Sequence, residues 1–387
     1  MTQAPRRLRL GMVGGGQGGF IGAVHRFAAR LDDEYELVAA APSSNPERAL
    51  ASGRELRLAD DRIYTDYREM AQREALREDA IDVVAIVVPN HLHYDVARVF
   101  LENGHHVICD KPLTTNRADA ESLLALARGK GLLFGLTHNY SGYPLIRAAR
   151  EMVASGALGD IRIVQVEYAQ DWLAQPLEES GNRQASWRTD PALAGPAGCL
   201  GDIGSHVAHL AEFVTGISPQ EISAELTTFV SGRRVDDHVQ VQLRYASGAR
   251  GMLWASQVAC GEENGLRLRV FGTRASLRWQ QEMPNELWLT ELGEPTQRLT
   301  RGMAKLPPSA ALATRIPQGH PEGFIEAFAQ IYRDFANDVR RHQSGEVIDR
   351  PCVPGLEEGI RGLAFIEAVL NSHQRNAAWT PIDQPAS

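Results

Sequence analysis

Short apolar runs alternate with amphipathic stretches through the first third of the chain. Runs of this kind, typical of buried parallel strands, occupy residues 8–13, 37–41, 81–88, 106–109 and 132–136. Apolar residues at helical spacing lie between them, for example at 24–31 and 118–127. This alternation predicts a doubly wound parallel sheet, which we end near residue 137.

The pattern changes after residue 137. A helical stretch is followed by longer strand-like runs, at 143–154 for the helix and at 161–168, 239–245, 251–258 and 266–271 for the strands. Turn residues separate these runs, which favours an antiparallel sheet. Residues 293–319 have the loose composition of a long surface loop, and helical spacing returns at 323–341 and 356–372.

The predicted fold class is α/β with two domains, since 387 residues exceed what one hydrophobic core usually sustains. Residues 1–137 form the doubly wound parallel sheet. Residues 138–387 form an α+β domain with a large, mostly antiparallel open sheet, and its C-terminal helices pack back on the body of the molecule. The few helices predicted in this domain leave one face of the sheet uncovered. We therefore expect a homodimer or homotetramer joined through this sheet.

Charge and composition exclude several partners. The formal net charge of −8 provides no basic surface for phosphates, so no nucleic acid is expected. The most apolar stretch, residues 81–89, is less than half of the roughly 20 residues that span a membrane. With no export signal visible, we expect a cytoplasmic protein with no membrane contact. The four cysteines form no Cys-x-x-Cys pair and are expected to be reduced thiols.

A glycine-rich segment follows the first predicted strand and precedes the first helical stretch. Gly14, Gly16 and Gly19 fit the pattern G-x-G-x-x-G, in which glycines allow a tight turn and bring backbone N–H groups to a pyrophosphate at a helix N-terminus. In this context the pattern predicts a dinucleotide cofactor. A second register, in which Gly22 packs the helix against the strand, is equally open.

The second predicted strand ends without the acid that NAD-selective proteins place there to bind the adenosine ribose. Ser43 and Ser44 stand at this position, and Arg48 follows one helical turn later. Hydroxyls and a cation favour NADP, or the use of both cofactors, over strict NAD. The alternative is that Arg48 is only a solvated helix residue.

Two segments follow buried strands at the carboxyl edge of the sheet, where ligands bind in open α/β folds. Pro89, Asn90 and His93 follow one strand, and we expect them near a nicotinamide. Lys111 follows the next strand. A lysine there can have its pKa lowered by desolvation and can polarise or deprotonate a substrate hydroxyl. The alternative is an ordinary surface lysine.

Asp202 and His206 lie four residues apart where a helix is predicted to begin. On one helix face, a carboxylate can orient an imidazole or share a polyol with it. A single helical histidine is usually structural, but this pair accompanies a strand-end lysine and a cofactor turn.

These segments resemble the motifs of the glucose-fructose oxidoreductase / inositol dehydrogenase / rhizopine-catabolism family, Gfo/Idh/MocA, over almost the whole chain. The matching segments are 14–22, 89–93, 110–112 and 202–206, in the family's order and approximate spacing. The combination is specific, whereas no single segment is. The resemblance implies a Rossmann domain, an α/β domain with an open sheet, and NAD(P)-dependent hydride transfer at a sugar or cyclitol hydroxyl carbon.

The resemblance also implies catalytic roles. Lys111 would stabilise the developing alkoxide, Asp202 would orient the substrate and His206 would accept the proton during oxidation. Two departures from the family pattern stand out. Asp110 replaces the usual Glu and keeps its charge, and the glycine turn is about three residues longer than G-x-G-x-x-G, which leaves the third glycine unassigned.

Further polar and aromatic side chains could satisfy the hydroxyls of a buried polyol. The candidates are Tyr140, Asp171, Trp172, Trp187, Arg188 and His320. Core packing is an equal alternative for the two tryptophans. No metal site is predicted, because neighbours in the segment 236–238 would point to opposite faces of a strand.

The sequence therefore predicts an NAD(P)-dependent sugar or cyclitol dehydrogenase. Two alternatives remain. One is a glycosidase that oxidises its sugar transiently and regenerates NAD in each turnover, and the other is a non-catalytic sugar-sensing regulator. A regulator would be expected to have lost Lys111, Asp202 and His206, which are all present.

Overall fold

The computed structural model describes residues 5–348 and 351–383. Contacts divide the chain into two compact units. The first comprises Met1–Asn139 and Phe328–Ile360, and the second comprises Tyr140–Ala327 and Arg361–Ser387.

The first unit contains a parallel sheet. In its described residues the strands are β1 (Leu8–Gly14), β2 (Tyr35–Ala41), β3 (Val83–Val87), β4 (His106–Cys109) and β5 (Phe134–Leu136). Their order is β2-β1-β3-β4-β5, and neighbouring strands run parallel. Every residue of β3 is buried, which explains its unbroken apolar run. The predicted doubly wound sheet is confirmed.

Both units contain helices. Within residues 5–348 and 351–383 they are α1 (Phe20–Leu31), α2 (Pro46–Glu55), α3 (Tyr67–Ala75), α4 (His93–Glu102), α5 (Arg117–Lys130), α6 (Pro144–Ala154), α7 (Arg183–Arg188), α8 (Pro191–Ala194), α9 (Ser205–Thr215), α10 (Pro308–Ala313), α11 (Phe324–Gln343) and α12 (Leu356–Gln374). Helices α1 to α5 belong to the first unit and α6 to α10 to the second, whereas α11 and α12 each cross the boundary between the units.

The C-terminal helices differ from expectation in one respect. Residues after 137 were expected in the second domain, but residues 328–360 belong to the first unit. Tyr332 of α11 is fully buried there, where its hydroxyl is 2.8 Å from His25 Nδ1 and its carbonyl accepts a hydrogen bond from Tyr35. Helical periodicity predicts that α11 has a buried face, but not which sheet buries it.

The second unit contains the predicted open sheet. Its strands in the described chain are β6 (Ile161–Ala169), β7 (Pro219–Thr227), β8 (His238–Tyr245), β9 (Arg250–Ser256), β10 (Gly265–Gly272), β11 (Ala275–Gln280), β12 (Glu286–Glu291), β13 (Gln297–Thr300) and β14 (Thr380–Pro381). Their order is β13-β12-β11-β10-β6-β9-β8-β7-β14. Neighbours are antiparallel except β6 and β9, which run parallel.

Side chains alternate across this sheet. Val239, Val241 and Leu243 of β8 are buried in a core to which α6 and α9 contribute. The opposite face carries exposed apolar side chains, including Ile163 and Met252, which are 44% and 45% exposed. We call this face of the sheet, which carries Ile163 and Met252, the open face.

Two local findings complete the fold. The predicted loop at 293–319 is partly structured, because β13 and α10 lie within it. Among the described helices, none is long and apolar enough to cross a membrane.

Candidate active site

The glycine-rich turn joins β1 to α1 in a conformation that only glycine adopts readily. Gly14, Gly15 and Gly18 have φ values of +83°, +67° and +79°. A Cβ added to Gly14 would lie 2.2 Å from the carbonyl oxygen of Val87 in the neighbouring strand. The turn therefore depends on missing side chains as well as on positive φ angles.

The geometry distinguishes the two glycine registers. A Cβ on Gly22 would lie 2.4 Å from the Cα of Gly15, so α1 can approach the turn this closely only through a glycine. Gly19 is the N-cap residue of α1, and a Cβ on it would be 3.1 Å from the carbonyl oxygen of Gly16. The close approach of helix and turn thus occurs at Gly22, the second of the two registers.

A cavity of about 470 Å³ lies against this turn in the first unit. Arg26 and Ser52 line it; Arg26 donates to the carbonyl oxygen of Gly15 at 2.7 Å, and the Gln17 N–H donates to Ser52 Oγ at 3.2 Å. The first turn of α1 has neither an acidic residue nor a side-chain cap. Its N-terminus can therefore receive an anion, and the cradle fits the phosphates of a dinucleotide.

The end of β2 has the polar character predicted from the sequence. Ser43 Oγ accepts a hydrogen bond from the Asn45 N–H, and Asn45 caps α2 by accepting from the Arg48 N–H at 2.9 Å. The Arg48 side chain is exposed and forms no ion pair with any residue that the structure describes. Ser44 is also exposed.

His93 links the two strand-end segments of the first unit. Pro89 and Asn90 lead into it through a short 3₁₀ turn after β3. The His93 ring is buried, with Nδ1 2.6 Å from the carbonyl oxygen of Pro112 and Nε2 2.9 Å from that of Val88. Burial lowers the pKa of His93. A neutral imidazole has one N–H, so His93 donates to only one of these two carbonyl oxygens. Both ring nitrogens face backbone carbonyls, so a direct cofactor contact by His93 would require its ring to move.

Asp110 anchors the backbone at Lys111. Its Oδ1 accepts hydrogen bonds from the Lys111 N–H at 3.0 Å and from the Thr137 hydroxyl at 2.9 Å. His25 Nε2 lies 4.0 Å from the same oxygen, and burial lowers the pKa of His25 to about 4. Lys111 itself is half-buried and precedes Pro112 in a cis peptide bond.

Asp202 and His206 lie about one turn apart on continuous helical backbone in the second unit. A π-helical turn spans Leu200–Gly204, and α9 follows directly. The expected helix start at Asp202 is therefore a wider turn than an α-helix. His206 is 8% exposed, whereas the Asp202 side chain is 21% exposed.

Gln257 and Arg188 contact the Asp202 carboxylate. Gln257 Nε2 donates to Asp202 Oδ2 at 2.9 Å, and Arg188 Nε lies 3.4 Å from the same oxygen. The Arg188 guanidinium lies over the rings of Trp187 and Trp172, 4.2 and 5.9 Å from their centroids. The structure thus assembles three predicted substrate residues around Asp202. No sequence pattern pointed to Gln257, which is buried.

Asp236 braces the backbone before Asp202. Its carboxylate accepts from the N–H groups of Gly198 and Leu200, both at 2.7 Å, and its carbonyl oxygen accepts from Cys199 at 2.8 Å. Burial raises the pKa of Asp236 to about 6. In the described residues no group of three or more His, Cys, Asp or Glu could hold a metal.

The remaining substrate candidates lie in different surroundings. Tyr140 is 4% exposed, and its ring packs against that of His206 with centroids 4.9 Å apart. Asp171 Oδ2 accepts from the Gly261 N–H at 3.1 Å. His320 is exposed, and its Nδ1 is 3.3 Å from the carbonyl oxygen of Pro317. Their roles in substrate binding stay predictions.

A glycine cradle after the first strand of a doubly wound sheet, with a carboxylate and a histidine in a separate open-sheet unit, defines a dinucleotide-dependent oxidoreductase. Residues 8–138 match an oxidoreductase family with an NAD-binding Rossmann fold, and residues 146–278 match the GFO/IDH/MocA C-terminal domain. The chain belongs to the Gfo/Idh/MocA oxidoreductase family.

Two related proteins are similar to this one over most of the chain. An uncharacterized oxidoreductase, YfiI, of Bacillus subtilis is 35% identical over 96% of both chains. Levoglucosan dehydrogenase of Pseudarthrobacter phenanthrenivorans is 28% identical over 76% of this chain and 78% of its own.

Solved structures agree. An oxidoreductase from Sinorhizobium meliloti is 49% identical, with a TM-score of 0.87 over 97% of this chain and 99% of its own. An inositol dehydrogenase homologue from Azotobacter vinelandii, solved with NAD⁺, is 37% identical, with a TM-score of 0.93 over 97% of both chains. The chain is thus an NAD(P)-dependent dehydrogenase.

Proposed function

We propose that this dehydrogenase transfers a hydride between NAD(P) and a hydroxyl-bearing carbon of a sugar or cyclitol. The observation that carries the proposal is the Asp202 carboxylate, held by Gln257 and Arg188 one helical turn before the buried His206. A fixed carboxylate beside a histidine suits a substrate with neighbouring hydroxyls, because one hydroxyl can be bound while another loses its proton. Relatives named for inositol and levoglucosan support this substrate class.

The first unit would hold the cofactor. The turn around Gly14 and Gly22 supplies backbone N–H groups, and Arg26 supplies a nearby cation for the phosphates. Ser43, Ser44 and the exposed Arg48 guanidinium suit a ribose 2′-phosphate, which favours NADP or dual use over strict NAD. When bound, the nicotinamide supplies hydride acceptance and return at its C4 carbon.

Three side chains would manage the proton and the charge. His206 accepts the hydroxyl proton during oxidation, and Asp202 binds and orients the polyol. Lys111 stabilises the alkoxide as it develops, its backbone being fixed through Asp110. Pro89 and Asn90 border the segment that we assign to the nicotinamide side of the first unit.

The decisive experiment measures cofactor binding and turnover together. NAD and NADP are titrated into the purified protein, and reduced nicotinamide is then followed by absorbance against inositols, aldoses, anhydrosugars and simple glycosides. Reduction by one polyol, lost in both Lys111→Ala and His206→Ala, is the expected result. Glycoside cleavage without net reduction would instead indicate the transient-oxidation glycosidase, and tight cofactor binding without turnover would indicate a regulator.

We also propose that copies of the chain associate through the open face. Ile163 and Met252 lie exposed on this face, and Trp254 of β9 is paired with Glu167 there through a 2.9 Å hydrogen bond. A broad sheet face with apolar side chains favours a homodimer or homotetramer. The cytoplasmic location expected from the sequence stays a prediction.

A further inference from the structure

A buried hydrogen-bond chain lies beside His206 in the second unit. The hydroxyl oxygens of Tyr140 and Tyr168 are 2.5 Å apart, and the Tyr168 hydroxyl donates to Asn264 Oδ1 at 2.6 Å. Because a tyrosine hydroxyl has one hydrogen, Tyr140 must donate to Tyr168. The Tyr140 hydroxyl is therefore committed within the protein, and both rings are at most 4% exposed.

Asn264 is the branch point of this chain. Its Oδ1 also accepts from Gln170 Nε2 at 2.8 Å, and Gln170 Oε1 accepts from the indole N–H of Trp172 at 3.1 Å. The Nδ2 of Asn264 donates to Gln281 Oε1 at 3.0 Å. One asparagine thus connects the tyrosine pair with Trp172, whose ring lies beside Arg188.

The ring of Tyr140 contacts the imidazole of His206 nearly at right angles. The centroids are 4.9 Å apart and the planes differ by 82°. Tyr140 is also stacked on Tyr143, with planes 10° apart, and the Tyr168 ring lies 6.4 Å from His206. A ring fixed both at its face and at its hydroxyl cannot turn away, so it restricts the orientations open to the imidazole.

We propose that Tyr140, held through Tyr168 and Asn264, is a positioning residue that fixes the imidazole of His206. Its consequence for catalysis rests on the proposed function, because a general base must point one particular nitrogen at the substrate hydroxyl. The fixed orientation itself does not depend on that function. Tyr140 is thereby assigned a role different from the substrate binding predicted from sequence, and Asn264 is assigned to the site.

Kinetics test the catalytic consequence. Tyr140→Leu removes both ring and hydroxyl and is expected to lower kcat about 30-fold, whereas Tyr140→Phe and Asn264→Ala are expected to lower it about 3- to 10-fold. In all three, the Kd for NAD(P) and the KM for the polyol should change less than about 3-fold, because the binding groups remain. Should Tyr140→Leu fail to fold, the 3- to 10-fold losses expected for Asn264→Ala and Tyr140→Phe test the proposal, and an unchanged kcat in both would overturn it.

Ser372→Ala is the matched control. Ser372 is buried in the same unit, where its hydroxyl donates to the Ala378 carbonyl and accepts from the Ala224 N–H. Its loss should lower Tm and leave kcat unchanged. If Ser372→Ala lowers kcat as much as Tyr140→Phe does at equal loss of Tm, the effect is general destabilisation and positioning is rejected.

A second readout requires no turnover. In protein with ¹⁵N-labelled histidine, the ring nitrogen shifts of His206 report its tautomers and their exchange. We expect one dominant tautomer in the wild type and in Tyr140→Phe, and a mixture in Tyr140→Leu. Unchanged His206 signals in Tyr140→Leu would overturn the proposal. If the His206 signals change in Tyr140→Leu but the wild type oxidises no polyol, the proposed function is rejected and the positioning role is supported.

Discussion

Gln257 donates a 2.9 Å hydrogen bond to the carboxylate of Asp202, although the two residues are 55 positions apart in the chain. Gln257 follows β9 and is 2% exposed, so its amide is fixed before any substrate binds. The bond occupies Oδ2, the same oxygen that Arg188 approaches. A carboxylate held from one side in this way keeps a constant orientation toward a polyol.

Replacing Gln257 by methionine should therefore impair catalysis more than stability. Methionine keeps the length of the side chain but cannot donate to Asp202. We expect kcat/KM for the polyol to fall roughly 10-fold, corresponding to about 1.4 kcal/mol, with the cofactor Kd unchanged. Steady-state kinetics and cofactor titration measure both quantities. An unchanged kcat/KM would show that the carboxylate is held without the Gln257 hydrogen bond.

Asp236→Ala should destabilise the second unit. The substitution leaves the N–H groups of Gly198 and Leu200 without their carboxylate partner in a buried position. Each unpaired buried group costs about 1–3 kcal/mol, so we expect a loss of about 2–5 kcal/mol in urea unfolding. Asp190→Ala is the control, because Asp190 caps a short helix at a more exposed position and should cost about 1 kcal/mol or less. Equal losses in the two variants would contradict the bracing role of Asp236.

Gly22→Ala should weaken cofactor binding. The added Cβ would lie 2.4 Å from the Cα of Gly15, so the turn must shift away from α1. We expect the Kd for NAD(P) to rise about 10-fold or more. Gly129→Ala is the matched control, since a Cβ there meets nothing within 4 Å inside α5, and it should leave the Kd unchanged. Calorimetric titration distinguishes the two, and wild-type affinity in Gly22→Ala would return the third-glycine role to Gly19.

Much of the fold follows from local pattern. The buried parallel strands were predictable because strands such as β3 are apolar on both faces, and the open sheet because β8 alternates buried and less buried residues. The packing of α11 in the first unit was not predictable from local pattern, because its contacts with His25 and Tyr35 join segments about 300 residues apart.

The candidate site divides in the same way. Asp202 and His206 were predictable because helical spacing places them together, whereas Gln257 and Asn264 reach the site from the loop between β9 and β10. Asp236 shows a different limit. Residues 236–238 were expected to alternate as a strand, but β8 begins at His238, so Asp236 and Asp237 lie before it and are both buried. Sequence pattern identifies elements more readily than the residues that brace them.

Met252→Glu should disrupt association through the open face. Met252 is 45% exposed and lies between Gln165 and Gln242 on the neighbouring strands. A charge buried between copies without a partner would cost several kcal/mol, so we expect the assembly to dissociate at micromolar concentration. Leu76→Glu is the control, since Leu76 is 88% exposed on the first unit and should leave the assembly intact. Sedimentation velocity measures both, and an intact oligomer in Met252→Glu would place the interface elsewhere.

His25 should make the protein lose stability as the pH falls from neutral toward 4. Its ordinary pKa of 6.5 is lowered to about 4 by burial in the folded state. The unfolded chain therefore takes up a proton in this range that the folded chain does not, so the stabilisation is present above pH 6.5 and is lost as the pH falls toward 4. A shift of this size corresponds to about 3 kcal/mol, since each pKa unit is about 1.4 kcal/mol.

His25→Gln removes this proton uptake, and urea unfolding at pH 7.5 and 4.5 should show a smaller loss of stability in the variant than in the wild type. Other buried histidines titrate in the same direction in both proteins, so the difference between the two losses isolates His25. Equal losses in the two proteins would mean that the folded state can protonate His25 near its ordinary pKa, which its full burial beside Tyr332 argues against.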